Sequence, residues 1–159
     1  HGILFRDAEA DMRRKMIESD IVECVIGLGP NLFYNSSMVS CLLICRVNKP
    51  VDRKGKTLFI QAVDEVRKEK TISYLDEYHI NKILDAYQNF ESVDGFCEVV
   101  DKETILKDTV ARLSVQYFVK TNEITESESF TSIYENWKQS SNDLQKNMNK
   151  LFEVIDNDR

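Results

Sequence analysis

The sequence predicts an α/β fold: the C-terminal portion of a larger sheet, left incomplete, followed by a long C-terminal helix. Three observations carry this reading. Three apolar runs rich in β-branched residues, 21–27, 39–47 and 57–63, have the character of buried strands. Two segments, 8–19 and 78–90, repeat apolar residues at helical spacing. The last segment, 132–159, carries a stripe of Trp137, Ser141, Leu144, Met148, Leu151 and Ile155 spaced 4-3-4-3-4.

Each element has a local reason. Ile3-Leu4-Phe5 reads as the tail of a strand, so the chain is expected to begin within a fold. Asp7 is a candidate N-cap for the first helix, whose apolar positions are Ala8, Met12, Met16 and Ile17. Gly29-Pro30-Asn31 ends the first strand. The second strand follows a loop, Leu32 to Ser37, and is expected to pair antiparallel with the first. Lys49 to Lys56 reads as a polar turn, and 64–70 as a charged, solvated stretch. Ile80, Ile83, Leu84, Tyr87 and Phe90 mark the buried face of the second helix, with Asp76 as a cap. Residues 96–100 form a short strand, Asp101 caps a turn, and 113–119 is extended. We divide the chain into 1–120, a polar linker at 121–131, and the helix 132–159.

Composition excludes several classes. The chain has 159 residues, enough for one domain with a core. A formal net charge of -6 makes it a poor stand-alone ligand for phosphate backbones. No apolar run approaches the ~20 residues that span a bilayer, and no signal peptide is evident, so a cytoplasmic location is expected. Cys24, Cys41, Cys45 and Cys97 do not cluster with His1 or His79 at zinc-ligand spacing, so reduced core thiols are expected and no metal.

The motifs that remain are few. Val25-Ile26-Gly27-Leu28-Gly29-Pro30 has a nucleotide-loop outline, but no helix and no third glycine follow, so it reads as a turn. Arg53, Lys54 and Lys56 form a basic cluster that is either a solvated turn or a phosphate contact. Phe33 and Tyr34 sit in a polar loop and are either anchors of that loop or a stacking surface; the residues alone favour anchors. Glu18, Asp20 and Glu23 have no nucleophile or histidine beside them, so no catalytic residue is assigned. The helical stripe packs either on this chain or on partner helices.

Several stretches resemble the methyltransferase subunit of type I restriction-modification systems. They are Gly2-Ile3-Leu4-Phe5-Arg6, Ala8-Glu9, Arg13-Arg14-Lys15, Glu23 to Leu28, Pro30-Asn31-Leu32-Phe33-Tyr34-Asn35 and Cys41-Leu42-Leu43-Ile44. The match continues through Arg53 to Ala62, Asp76 to Ile83, Tyr87-Gln88-Asn89-Phe90 and Leu113 to Val119. The resemblance implies a Rossmann-like S-adenosylmethionine-dependent fold and methyl transfer to adenine N6 in duplex DNA. It implies S-adenosylmethionine as cofactor of the intact parent, but the Gly-rich cofactor loop and the Asn-Pro-Pro-Phe/Tyr motif are absent here. No cofactor and no activity are therefore expected of this chain alone.

The resemblance also implies that the loop after the first strand lines the pocket for a flipped base. That brings stacking by Phe33 or Tyr34 level with anchoring, and makes Asn31 and Asn35 candidates to fix the loop or meet a base edge. Gly29 stands where the family has a proline, and 37–40 lacks the usual Ile-Pro. The implied partners are the specificity subunit, met through Trp137, Leu144, Met148, Leu151 and Ile155, the restriction subunit, and DNA through the complex. Two rival readings are a catalytically inert remnant that only docks on the specificity subunit, and an unrelated α/β protein that dimerises through its stripe.

Overall fold

The computed structural model describes residues 2–34, 36–70, 72–120, 134, 137–142, 144–146 and 148. It divides into two units, His1–Thr121 and Asn122–Arg159.

The first unit is built on a four-stranded mixed sheet. Its strands are β1 (Val22–Leu28), β2 (Ser40–Cys45), β3 (Lys56–Ala62) and, after a hairpin of β4 (Arg67–Lys68) and β5 (Ser73–Tyr74), β6 (Cys97–Asp101). The order is β2-β1-β3-β6. β1 pairs antiparallel with β2, as expected from the sequence, and parallel with β3; β3 pairs antiparallel with β6. Helices α1 (Ala10–Glu18), α3 (Lys102–Lys107) and α4 (Val115–Phe118) accompany one apolar cluster, and α2 (Glu77–Asn89) another.

A bulge sorts the two clusters. The β1–β2 register shifts between Val22 and Cys24, so an extra residue, Glu23, enters β1. Val22 therefore joins Val25 in the cluster with Ile17, Phe59, Ile105 and Leu113. Cys24, Ile26 and Leu28 join Leu58, Ile60 and Ile83 in the other. Strict alternation along β1 would have put Val22 with Cys24.

The structure corrects five expectations. Gly2–Leu4 is a 3-10 turn rather than a strand end, and Asp7 opens a second 3-10 turn, Asp7–Glu9, before α1 begins at Ala10. The 64–70 stretch is not simply solvated, because Arg67 and Lys68 pair with Tyr74 and Ser73. Residues 115–118 form a helical turn, since Val119 N–H returns to Val115 O at 2.9 Å; Phe118 then stacks on Phe59 with centroids 4.3 Å apart. On α2, Ile83 and Ala86 are buried while Ile80 and Leu84 are exposed. The fifth is β2. Its residues are half-buried or exposed, including Leu42 and Leu43, because among the described residues no strand pairs with its outer edge. A strand that is apolar from Cys41 to Cys45 and open at one edge is one that wants a neighbour.

The cysteines are all free, but not all are core thiols: Cys24 and Cys97 are buried, Cys41 is intermediate and Cys45 is exposed. Burial, and then the charge of Glu23, pushes the Cys24 thiol well above its ordinary range; burial also raises Cys97. Maleimide at neutral pH should therefore label Cys45 first in the native protein, and Cys24 and Cys97 only after denaturation. Labelling of Cys24 as fast as Cys45 would show that β1 is not the buried centre of the sheet.

Candidate functional site: the carboxyl ends of the parallel strands

Ligands of α/β sheets gather where parallel strands end and their loops diverge. Here β1 and β3 run parallel with Leu28 beside Ala62, and both loops leave from that edge. The loop after β1 enters closely against its neighbour. A Cβ at Gly29 would lie 2.6 Å from Val63 O, so only glycine lets the backbone pass there. Asn31 adopts a left-handed turn (φ 60), and its carbonyl accepts the Ser73 N–H at 2.9 Å. The loop after β1 is thus fastened to the β4–β5 hairpin.

Beyond Asn31 the chain presents its aromatics outward. Ser36 N–H donates to Phe33 O at 3.1 Å, closing a tight turn that contains Tyr34. Phe33 is 56% exposed and Tyr34 96%. The anchor reading therefore fails in this structure, because neither ring is packed into the core. Asn31 acts through its backbone carbonyl, and Asn35 lies outside the described residues. In the strands, Ser40 Oγ beside Leu28 and Gln61 Oε1 beside Gly27 are buried with no hydrogen-bond partner among the described residues.

The cations of the 49–56 stretch divide: Lys54 and Lys56 are exposed, as in a solvated turn, whereas Lys49 and Arg53 turn inward. Lys49 is buried, donating to Asp20 Oδ1 and to Lys56 O at 2.7 Å each. Burial alone would raise the Asp20 carboxyl; the Lys49 ammonium and the Gly55 N–H hold it below its ordinary value. Arg53 reaches inward to Glu23 Oε1 at 3.4 Å, donates to Gln88 O and stacks over Phe90 and Tyr87. Glu23 is fully buried, and it also accepts from Tyr87 Oη at 2.7 Å and pairs with Arg46 at 3.2 Å. The sequence shows Glu23 only as one carboxylate among several. Its setting in a continuous apolar run was the signal that it must be paired inside.

No catalytic constellation forms among the described residues, and no group of three or more His, Cys, Asp or Glu there is placed to hold a metal ion. The turn after β1 is filled by Val63 and Val66, and Gly29 serves that packing rather than a phosphate or ribose cradle. Among the described residues no helix is long and apolar enough to cross a membrane.

In the second unit, Tyr134, 137–142, 144–146 and Met148 are helical. Trp137, Leu144 and Met148 of the predicted stripe are 64%, 63% and 48% exposed. Leu151 and Ile155 lie outside the described residues, as does the predicted linker.

The family model for N-6 DNA Methylase matches residues 1–127. The type I restriction enzyme MjaVIII methylase subunit of Methanocaldococcus jannaschii is 37% identical over 158 residues, covering 97% of the chain and 26% of the relative. The MjaVII methylase subunit of the same organism is 40% identical over 122 residues, covering 74% and 21%. The crystal structure of a type I restriction-modification methyltransferase subunit from Streptococcus thermophilus superposes with a TM-score of 0.70 at 34% identity, over 76% of this chain and 25% of that one. The chain thus spans about a quarter of the length of the relatives it matches.

Proposed function

From the membership of this chain in the N-6 DNA methylase family, among the methylase subunits of type I restriction-modification systems, we propose that it serves site-specific methylation of adenine N6 in DNA. In this reading the methyl donor is S-adenosylmethionine. Its binding and the transfer chemistry belong to polypeptide beyond these 159 residues, since the relatives are about four times as long. This chain contributes the loop that receives the target base. The observation that carries the reading is the pair of exposed rings, Phe33 and Tyr34, on a loop at the carboxyl ends of parallel strands. A base drawn out of the duplex loses its stacking, and an aromatic face restores part of it. The open edge of β2, the exposed Leu42 and Leu43 and the unpartnered Ser40 Oγ support a neighbouring segment against that strand.

The helical stripe of Trp137, Leu144 and Met148, continued in sequence by Leu151 and Ile155, docks on the specificity subunit in the same reading. Burying apolar surface at roughly 25 cal/mol per Å² supplies the drive. The specificity subunit, not this chain, then selects the DNA sequence.

The test uses the methylase subunit that carries these residues, in complex with its specificity subunit. Tyr34→Ala and Phe33→Ala are compared with the parent in N6-adenine methylation of a cognate duplex. Each ring that stacks on the base contributes about 1–3 kcal/mol, a loss of roughly 5- to 150-fold in rate at limiting DNA. Both rings are exposed, so the melting temperature should stay unchanged. Unchanged methylation and unchanged DNA binding in both variants would remove the loop from the base pocket.

A further inference from the structure

The hairpin that Asn31 fastens to the aromatic loop has a chemistry of its own. Residues 67–70 read Arg-Lys-Glu-Lys, three basic residues against one acidic, in a chain whose net charge is -6. Arg67 is already engaged. It pairs with Asp76 at 2.8 Å and Glu69 at 3.5 Å, and lies 5.2 Å over the Tyr74 ring. Those contacts brace the hairpin and offset part of the charge of the two carboxylates. Lys68 and Lys70 are exposed, and neither has an ion pair among the described residues. With Glu69, Ile72 and Tyr74 they line an open depression of about 530 Å³. Arg13, Lys49 and Arg53 turn inward, whereas Lys15, Lys54, Lys56, Lys107 and Lys120 are exposed but do not lie on the hairpin fastened to the aromatic loop.

We propose that Lys68 and Lys70 clamp the phosphate backbone of duplex DNA beside the base that the Phe33–Tyr34 loop receives. The inference rests on the methylase reading and adds a contact surface to it. Three features favour DNA over an acidic protein segment. The two ammonium groups come from a short hairpin, braced by the Arg67 pairs, that can reach a flat backbone. A hydrogen bond of 2.9 Å between Ser73 and Asn31 holds that hairpin to a loop of exposed aromatics. Cationic and aromatic side chains side by side are the pattern by which proteins hold a strand and its unstacked base together. Phosphate contacts position the protein without reading sequence, which suits a subunit whose partner does the reading.

The test measures DNA affinity of the methylase–specificity complex against salt, with Lys68→Glu/Lys70→Glu compared with the parent and with Lys68→Arg/Lys70→Arg. Each lost phosphate contact lowers the slope of log K against log salt by about 0.9, so the reversal variant should lose about 1.8. It should weaken cognate and non-cognate duplexes alike, while the arginine variant keeps the parent slope. An unaltered melting temperature excludes a folding defect. A reversal variant with the parent slope and affinity would overturn the clamp and leave the methylase reading standing. A parent complex that neither binds nor methylates DNA would overturn both.

Discussion

Arg13→Ala should destabilise the first unit by about 3–5 kcal/mol, a third or more of the stability of an ordinary domain. Arg13 is 1% exposed, and its hydrogen bonds among the described residues go to no carboxylate. It instead donates to four carbonyls: Ile3 O at 2.7 Å, Arg6 O at 2.7 Å, Val110 O at 2.9 Å and Ala111 O at 3.1 Å. Two of these belong to the 3-10 turns before α1 and two to the segment between α3 and α4. One side chain thus replaces a sheet ladder between pieces of irregular backbone. Its planar fork of donors is what allows this, and a lysine cannot span the same carbonyls. Removing it leaves buried acceptors without donors, each costing about 1–3 kcal/mol, of which the more exposed Ile3 and Arg6 recover part through water. Chemical denaturation would give the difference, and Arg13→Lys should recover less than half of it. If Arg13→Ala melts with the parent, the two segments are held by something else, and the Leu113 N–H to Leu4 O bond at 2.8 Å would be the next to remove.

That arginine also marks the limit of reading the sequence. Continuous apolar runs locate β1 and β3, and helical periodicity locates α2, within a residue or two, because the strands are buried on both faces and the helix on one. Periodicity says nothing about a buried cation that bonds carbonyls, and Arg13 looked like part of a polar helix face. β2 lies where the sequence predicts it but is not buried. Its Cys-Leu-Leu-Ile-Cys run is apolar on both faces, and only the pairing shows that one edge is open. Residues 115–118 read as extended in the sequence because Val, Tyr and Phe fit either state when the run is short. The aromatic loop was found from its polar surroundings, whereas its anchor at Ser73 is a backbone bond with no side-chain signature. The hairpin at 67–74 was hidden by its charge, since two-residue strands have no measurable alternation.

The second large effect is expected at Glu23. Arg53→Ala should cost about 1–3 kcal/mol, because it takes one of two cationic partners from a carboxylate with no solvent exposure. Arg46 stays at 3.2 Å but is half in solvent, and its pairing is screened. Tyr87 Oη still donates at 2.7 Å; burial first, and then that bond to Glu23, already raises the phenol. Loss of Arg53 also uncovers the Phe90 and Tyr87 rings that it stacks on. The cause is separable by a double-mutant cycle. Glu23→Gln keeps the shape and the acceptor for Tyr87 while removing the charge. If the stranded charge is the cost, Arg53→Ala with Glu23→Gln is more stable than Arg53→Ala alone. If the lost packing is the cost, the two substitutions add. The position of the hub makes a further distinction. Glu23 enters β1 near its start, and the aromatic loop leaves after Leu28, roughly 17 Å along the strand at about 3.3 Å per residue. A hub variant that remains folded at low temperature should therefore keep the DNA affinity and salt slope of the parent complex. Loss of either below the melting transition would mean that the bulge in β1 sets the geometry of the loop as well as the stability of the sheet.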